Sequence, residues 1–278
     1  LYEIEDIVDV DPHFTQSYYL LSKIFHKWTY HPLMTTICET SFNQDIYDSA
    51  ILDLLPKLYQ IENKPEKIIS FFETMSIKKP DDISSKKGLA KQYELSNQHL
   101  KACQLYFDLA VENPTLNHEI ISYIVPIAHQ HITNQDIQTI LIQLFIKTLQ
   151  PQKVIYQVKQ CSKHISSFTE QAKTLYRDTL KTCPFHESIL FELTTIHIQN
   201  HDFVEATNEL SMLFSHHPNS SPRIISQLKT IIDHDSTLFS ALQLITTIYY
   251  SIQDFSSYLP FLETLIIHHP NRVEGVDE

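Results

Sequence analysis

Apolar residues along this chain recur at three- and four-residue intervals, which places them on one face of an α-helix. The pattern is clearest between residues 83 and 114, where Leu89, Ala90 and Tyr93 mark the apolar face of a first predicted helix. A second predicted helix carries the apolar residues Ala102, Tyr106, Leu109 and Ala110. Pro114 ends this helix, because proline disfavours helical geometry in the residue before it.

The connection between these two helices predicts a tight antiparallel hairpin. Asn97 lies between them and is expected to be the N-cap of the second helix. Ala90 and Ala102 fall where the two helices would cross, and only small side chains let helix axes approach to about 8–10 Å.

The same pattern of paired helices recurs along the chain, which predicts a helical repeat array. Comparable pairs are predicted in residues 49–80, 185–218 and 237–270. Prolines 80, 114, 151, 184 and 218 stand 34, 37, 33 and 34 residues apart. The tetrapeptide His-His-Pro-Asn occurs at residues 216–219 and again at 268–271.

Parts of the sequence fit this repeat less well, and residues 118–184 fit it poorly. Pro126 and Pro260 fall inside predicted helices, which are therefore expected to be bent or shortened. Residues 219–236 are interpreted as an insertion that adds one helix and breaks the register of the repeat. Ser167 and Glu170 form a capping-box pattern that predicts the start of a helix.

These elements predict a single array over residues 1–278, with about 12 or 13 helices. Residues 1–45 are expected to form a capping hairpin, with helices over 14–30 and from Pro32 to Cys38. Residues 46–218 form the repeat units, 219–236 the extra helix, 237–270 the last unit and 271–278 a tail. The chain starts with Leu1 rather than Met, which suggests a processed product or an excerpt of a longer polypeptide.

The repeating residues resemble the signature of the tetratricopeptide repeat (TPR) family. The signature positions in the best-matching unit are Leu89, Ala90, Tyr93, Ala102, Tyr106 and Pro114. In the 185–218 unit, Thr194 replaces the small residue and His197 the aromatic one, beside Leu193, Ala206, Leu210 and Pro218. The resemblance implies an all-α fold, a right-handed α-solenoid of antiparallel helix pairs that binds other proteins on its concave face.

Composition narrows the classes of function. The chain has only two glycines, which argues against glycine-rich phosphate loops and nucleophile elbows, and we expect no enzyme activity and no cofactor. The net charge of −12 disfavours nucleic acid as a partner. No stretch approaches the roughly 20 apolar residues of a membrane helix. The four cysteines form no C-x-x-C pair, so we expect the cytoplasm or another reducing compartment.

Two groups of residues are candidate partner-binding sites. The densest basic run is Lys78, Lys79, Lys86, Lys87 and Lys91, and its function could be to bind an acidic peptide or simply to be a solvated surface. Lys87 and Lys91 lie on the first-helix face that lines the groove in the resembled family. The second candidate group consists of residues that either line a peptide groove or pack on the next repeat, namely Phe191, Thr195, Ile198, Gln243, Thr247 and Tyr250.

Histidines raise the question of a metal site. His197 and His201 are four residues apart, but no glutamate follows His197 and no third ligand is evident. We therefore expect no metal, and we interpret His197 as a packing residue in the aromatic position of the repeat.

The function predicted from the sequence is that of a protein-interaction scaffold or adaptor binding a partner segment. Two alternatives remain open: the interaction region of a larger protein whose catalytic or membrane-anchored part is missing here, and a structural subunit of a large complex.

Overall fold

The computed structural model describes Leu20, residues 31–45, Tyr47 and residues 49–270. The expected helix over 14–30, apart from Leu20, and the tail at 271–278 lie outside the described residues. Within the described part the chain forms α-helices, three short 3-10 helices and no strand. The all-α prediction is therefore confirmed.

Fourteen α-helices occur in the described residues, one more than the upper expected number. They are α1 (His31–Asn43), α2 (Ser49–Ile61), α3 (Pro65–Lys78), α4 (Ile83–Leu95), α5 (His99–Glu112), α6 (Asn117–Gln130), α7 (Gln135–Lys147), α8 (Pro151–His164), α9 (Thr169–Thr182), α10 (Glu187–Gln199), α11 (Phe203–His216), α12 (Ser221–His234), α13 (Phe239–Ser251) and α14 (Phe255–His268).

From α4 onward the helices repeat in groups of three at a constant spacing, which we call the three-helix period. First helices begin at positions 83, 135, 187 and 239, and second helices at 99, 151, 203 and 255. Third helices begin at positions 117, 169 and 221. The 3-10 turns between second and third helices begin at 114, 166 and 218, so the connections keep the same period.

This period corrects the interpretation of residues 219–236 as an insertion. They contain α12, the third helix of its unit, which corresponds to α6 and α9 in the preceding units. The prolines used as a ruler do not occupy equivalent places. Pro114 and Pro218 follow second helices, whereas Pro151 begins one, and Pro80 and Pro184 lie before first helices.

The turn after each first helix contains a residue with left-handed backbone geometry. These residues are Asp45, Asn97, Leu149, His201 and Gln253, with φ between 54° and 62°, and each follows the last by one three-helix period. Each such turn from Asn97 onward closes a Schellman motif, as in the hydrogen bond from the Gln98 N–H to the Tyr93 carbonyl at 2.8 Å. Asn97 is therefore the turn residue and not the expected N-cap, which is Gln98.

Leu149 is the least suited of these residues to its conformation, because left-handed geometry costs a non-glycine residue about 1–2 kcal/mol. Its side chain is 61% exposed, so little packing is lost on truncation. Leu149→Gly is expected to raise the free energy of unfolding by about 0.5–1 kcal/mol, after the entropy cost of glycine. Urea denaturation followed by circular dichroism measures the change.

The control is Leu95→Gly, since Leu95 is 64% exposed and lies in helical geometry at the end of α4. That substitution should lower stability by about 1 kcal/mol, as glycine does in a helix. If both substitutions changed the free energy of unfolding in the same direction, the role given to the left-handed turn at Leu149 would be contradicted.

Side-chain caps also follow the repeat. Asp82, Asn134 and His186 precede first helices at equivalent positions, and each accepts a hydrogen bond from a backbone N–H of the first turn. Asp254 caps α14 by accepting a hydrogen bond from the Ser257 N–H, and Pro65 occupies the first position of α3. The capping box predicted from Ser167 and Glu170 is wrong. Residues Ser166–Phe168 form a 3-10 turn, and α9 begins without a side-chain cap.

The repeated His-His-Pro-Asn segment fastens the end of a second helix to the loop before its first helix. The His217 imidazole donates a hydrogen bond to the Phe185 carbonyl at 2.6 Å, and His269 does the same to the Thr237 carbonyl at 2.6 Å. Both bonds span the same distance along the sequence, so the recurrence of the motif has a common structural cause.

Prolines within helices do not shorten them. Pro126 lies inside α6 and Pro260 inside α14, and both helices keep the full 14 residues of the second and third helices elsewhere. Shortening, one of the two expected effects, therefore does not occur in α6 or α14, and bending stays a prediction.

The chain divides into two compact units, residues 1–127 and 128–278, with the boundary inside α6. In the first unit, Met34, Leu55 and Phe71 belong to a core shared by α1, α2 and α3. Ala90 and Ala102, at the predicted crossing of α4 and α5, are completely buried. In the second unit, a continuous core extends from Leu190 to Tyr249 and includes the third helix α12.

Candidate functional site

An open groove lies between α2, α3 and α4 in the first unit, with a volume of about 420 Å³. We call it the α2–α4 groove. Its apolar floor and walls are Leu52, Pro56, Phe71 and Phe72. Its polar rim is Asp53, Lys57, Asp82, Ser84 and Ser85, with Gly88 completing the wall.

Gly88 lets α4 approach the Phe72 ring closely. A Cβ atom at this position would lie 2.6 Å from the Cε1 and Cζ atoms of Phe72, closer than nonbonded carbon atoms approach. The absence of a side chain therefore lets α4 pack against the Phe72 ring, which forms one wall of the groove. Any larger residue would push that ring from its place.

The rim of the groove carries charges that are free to meet a partner. Asp53 and Lys57 are exposed one turn apart on α2, and in residues 31–45 and 49–270 neither has an ion-pair partner. Asp82 is already engaged, since it accepts hydrogen bonds from the Ser84 N–H at 3.0 Å and the Ser85 hydroxyl at 2.6 Å. Lys57 and Asp53 are thus the available charged groups.

A second recess, of about 390 Å³, lies between α1, α2 and α3. Its charged side chains are occupied by one another. Lys67 pairs with Glu39 at 2.6 Å, and Lys78 pairs with Asp45. A ligand there would first have to break internal ion pairs.

The predicted basic patch is also paired internally. Lys87 bonds Glu119 of α6 at 2.7 Å, and Lys91 bonds Glu94 at 2.9 Å. Glu119 accordingly has a pKa below its usual value, chiefly because Lys87 donates a hydrogen bond to it. The lysines do not form a field of unopposed positive charge. The sequence alone could not show this, because Glu119 lies two helices away from Lys87 along the chain.

The second predicted group is divided by the structure. Phe191 is completely buried, with the Arg223 guanidinium of α12 stacked 3.8 Å from its ring centroid. The half-buried Thr195 accepts a hydrogen bond from Gln227 of α12 at 3.2 Å. Ile198 packs at the edge of the core. Phe191 and Thr195 therefore contact the third helix of their own unit and do not line an open groove.

Gln243, Thr247 and Tyr250 are exposed along one face of α13, and Tyr250 is 64% exposed. These positions lie one three-helix period after Phe191, Thr195 and Ile198. They share the face that α12 covers in the preceding unit, but in the described part of the chain no third helix follows α14.

Across the array, the third helix contacts the first helix of its unit with a constant offset in sequence. The pairs are Lys87 with Glu119, Thr139 with Gln171, Phe191 with Arg223, and Thr195 with Gln227. The type of contact changes from an ion pair to a hydrogen bond to a cation–π contact, whereas the paired positions stay equivalent from one group of three helices to the next.

His197 occupies the aromatic position of the repeat, as predicted. It is buried at the position equivalent to Tyr93, Phe145 and Tyr249. Its Nδ1 atom lies 3.4 Å from an Asp202 carboxylate oxygen, and Arg177 of α9 lies 3.5 Å from Nε2. His201 is the left-handed turn residue. The described residues contain no group of three or more potential metal ligands.

Burial lowers the pKa of His197 below its usual value of 6.5; Asp202 opposes this shift, while Arg177 and Lys173 add to it. The folded chain therefore binds the proton less readily than the unfolded chain. Stability is complete above about pH 6.5 and falls as the pH drops from there toward the folded-state pKa. His197→Phe should reduce this loss of stability, measured as the difference in free energy of unfolding between pH 7.5 and pH 5.

The control for this prediction is His164→Phe, since His164 is exposed at the end of α8. It should leave the pH dependence unchanged. An unaltered pH dependence in the His197 variant would show that other groups dominate it.

The cysteines are isolated from one another as free thiols. Cys38, Cys103 and Cys161 are buried, and burial raises the pKa of Cys161 to about 11 and those of Cys38 and Cys103 to about 12. These thiols therefore act as small packing residues at neutral pH. Among the helices that the structure describes, none is long and apolar enough to cross a membrane.

Comparison with known proteins gives weak likenesses. No protein-family model and no curated protein matches the chain. Among solved structures, YrrB, a TPR protein with an unusual peptide-binding site, is 12% identical, with 84% of this chain and 93% of that chain covered and a TM-score of 0.23. The C-terminal part of a TPR repeat-containing protein from Cytophaga hutchinsonii is 14% identical, covering 92% and 97%, with a TM-score of 0.31.

The TPR domain of P58(IPK) is 15% identical, covering 96% of this chain and 87% of that one, with a TM-score of 0.27. The assignment of the fold rests on the chain's own hairpins: helices of similar length follow one another through short turns, the small residues Ala90 of α4 and Ala102 of α5 are completely buried, and Schellman turns recur. The described residues of this chain therefore form an all-α array of helical repeats.

Proposed function

We propose that this chain is a protein-interaction scaffold that holds a segment of a partner protein in the α2–α4 groove. The observation that carries the proposal is an open groove with an apolar floor and a rim on which Asp53 and Lys57 have no ion-pair partner within the described part of the chain. Such a groove suits an extended or helical peptide that inserts an apolar side chain and offers a charged one. The proposal includes no catalytic step.

Acidic partners are a narrower form of the same proposal. Lys57 lies beside the groove and has no ion-pair partner among residues 31–45 and 49–270, and Lys87 and Lys91 lie on the neighbouring helix α4. An acidic segment would gain from Lys57 directly, but it would have to displace Glu119 from Lys87 and Glu94 from Lys91. Exposed ion pairs contribute only about 0–1 kcal/mol, so such an exchange costs little.

The test is affinity capture with the full chain as bait, followed by quantitative mass spectrometry. Lys57→Glu should reduce recovery of the partner about tenfold, since like-charge contact opposes binding. Because Lys57 has no described ion pair, the substitution should leave the fold intact. Lys163→Glu supplies the same charge change at an exposed position on α8 and should recover the partner as the unsubstituted chain does.

Gly88→Leu provides an independent disruption, because the added side chain would collide with the Phe72 ring of the groove wall without changing charge. A partner whose recovery is unchanged by both Lys57→Glu and Gly88→Leu would contradict the groove as the binding site. For a partner whose recovery both substitutions reduce, fluorescence anisotropy with overlapping peptides of that partner would identify the bound segment.

A further inference from the structure

The exposed side of α8 is basic, although the chain as a whole has a net charge of −12. Residues 137–169 contain four lysines and no aspartate or glutamate. Three of these lysines, Lys153, Lys159 and Lys163, are exposed on α8. Hydrogen bonds join α8 to α7, and an ion pair of Lys159 with Glu192 at 2.7 Å joins it to α10. The basic side of α8 therefore stays exposed after these neighbouring helices have packed.

An exposed tyrosine lies among these lysines. Successive residues of an α-helix are rotated by about 100°, so four side chains of α8 share a sector of about 120°, namely Lys153, Tyr156, Lys159 and Lys163. We call these four residues the α8 face. The buried residues of α8 occupy the opposite side of the helix. Tyr156 is 60% exposed, and among the residues that the structure describes its ring contacts no other ring and its hydroxyl makes no hydrogen bond.

Two cations of the α8 face are available to a partner. Lys159 is held by its ion pair with α10, whereas no carboxylate in the described part of the chain pairs with Lys153 or Lys163. The Lys153 ammonium lies 5.5 Å from the Phe145 ring centroid, a contact that leaves its charge uncompensated. These two charges stand on either side of Tyr156 along α8. A partner can meet them without breaking an internal ion pair.

The packing of the repeat does not require this combination of residues. The equivalent positions of the second helices α5 and α11 carry neither a tyrosine nor a set of three lysines. They are Lys101, Gln104, Phe107 and Val111 in α5, and Glu205, Asn208, Ser211 and Ser215 in α11. The α8 face is therefore a feature of one helix and not of the repeat.

The length of the α8 face limits the size of its occupant. Lys153 and Lys163 are ten residues apart, which is about 15 Å along the helix axis. An extended segment spans that distance in four or five residues, at about 3.3 Å each. Carboxylates of such a segment would be attracted by both ammonium groups, and an apolar side chain between them would contact the Tyr156 ring.

Charge outside the α8 face favours a short segment over a long polyanion. From residue 183 onward the sequence has 12 acidic and 3 basic side chains. A nucleic acid or an anionic membrane would extend beyond the α8 face and meet this repulsion, because exposed charges interact over about 10 Å at 0.1 M salt. A segment of a few residues is attracted by the nearby lysines alone.

We propose that the α8 face is a docking site for a short acidic segment of another protein. The segment lies extended along α8, with carboxylates at Lys153 and Lys163 and an apolar or aromatic side chain on the Tyr156 ring. This site lies in the second unit, whereas the α2–α4 groove lies in the first. It gives the scaffold a second binding surface, which selects its partner mainly by charge.

The probe is a fluorescein-labelled peptide, Glu-Asp-Ser-Phe-Ser-Asp-Glu, and fluorescence anisotropy measures its binding to the full chain. We expect saturable binding that the double substitution Lys153→Glu and Lys163→Glu weakens at least about tenfold, because like charges then oppose each other. Tyr156→Ala should weaken binding about threefold through the lost aromatic contact. The uncharged peptide Gln-Asn-Ser-Phe-Ser-Asn-Gln should not bind. The substituted positions are exposed, and far-UV circular dichroism checks that each variant is folded.

Lys57→Glu is the control on the chain, because it reverses a lysine without an ion-pair partner among the described residues, in the α2–α4 groove of the first unit. It should leave binding of the probe unchanged. A partner held in the α2–α4 groove shows the opposite behaviour, since its recovery falls with Lys57→Glu and is kept with Lys163→Glu. Failure of one site can therefore be told from failure of the other.

Four results would overturn the proposal. The probe could show no saturable binding up to about 1 mM, or its binding could be weakened by Lys57→Glu and not by the double substitution. A ten-nucleotide oligothymidylate or vesicles containing phosphatidylserine could bind more tightly than the probe, with the same loss in the double variant. Sedimentation could show a dimer that the double substitution abolishes, and the occupant would then be a second copy of this chain.

Discussion

Replacing Phe191 by alanine is expected to lower the free energy of unfolding of the second unit by about 3–5 kcal/mol. The ring is completely buried in the core shared by α10, α11 and α12. Its removal leaves a cavity and also takes away the surface on which the Arg223 guanidinium stacks at 3.8 Å. The cost includes both lost apolar burial and lost cation–π attraction.

Tyr250→Ala is the matched control, because it removes an aromatic side chain that is 64% exposed on the corresponding face of α13. The change should be within about 0.5 kcal/mol, as for other surface substitutions. Urea denaturation of both variants gives the comparison. Equal losses in the free energy of unfolding for Phe191→Ala and Tyr250→Ala would contradict the stabilising role given to the packing of α12 on Phe191.

Local features of the hairpins can be predicted from the sequence, because they depend on residues close in the chain. The spacing of Ala90, Ala102 and Tyr106 places them at or beside the crossing of two helices, and all three are buried. The position of Asp254 before an apolar helix predicts a cap, and Asp254 accepts the Ser257 N–H. Such features need only one turn or one hairpin to form.

The three-helix period was not predicted, although the sequence contains its signal. Thr-Thr-Ile occurs at residues 194–196 and 246–248, and Asp-Phe at 202–203 and 254–255. Each of these pairs is separated by one three-helix period, as are the two His-His-Pro-Asn segments. The helices differ little in length, so any two consecutive helices span nearly the same stretch of chain. Prolines at non-equivalent positions are therefore spaced about two helices apart, and this spacing led to the prediction of a two-helix repeat.

The candidate site is harder to predict than the fold, because exposure depends on a helix distant in sequence. Phe191 and Gln243 hold equivalent positions, yet Arg223 covers the first and no described side chain covers the second in the same way. The groove lining from Phe72 and Gly88 was likewise not predicted. One signal in the sequence could have indicated that α4 closely approaches the Phe72 ring: Gly88, one of only two glycines, falls within a predicted helix.

Gln138→Leu is expected to lower the stability of the second unit by about 3–5 kcal/mol, although leucine has nearly the same size and suits an apolar core. Gln138 is completely buried in α7, where its Nε2 donates to the Ala128 carbonyl at 2.7 Å and to the His131 carbonyl at 3.0 Å. Its Oε1 accepts from Gln157 of α8 at 2.6 Å. One amide thus satisfies two helix-end carbonyls and a second buried amide.

Leucine at position 138 would leave the Ala128 carbonyl and the Gln157 amide without these hydrogen bonds, and each loss costs about 1–3 kcal/mol, whereas the His131 carbonyl keeps the hydrogen bond that it accepts from the Asn134 N–H at 2.9 Å. The matched control is Gln143→Leu, an exposed glutamine on the same helix, which should change stability by less than about 0.5 kcal/mol. Thermal unfolding followed by circular dichroism compares the two. A neutral Gln138→Leu would contradict the prediction. Water would then have to enter beside α7 and replace the hydrogen bonds of the Gln138 amide. A large loss of stability with Gln138→Leu but not with Gln143→Leu would show that the Gln138 hydrogen bonds hold α7 against the end of α6. The sequence alone does not reveal this contact, because Gln138 lies among apolar residues.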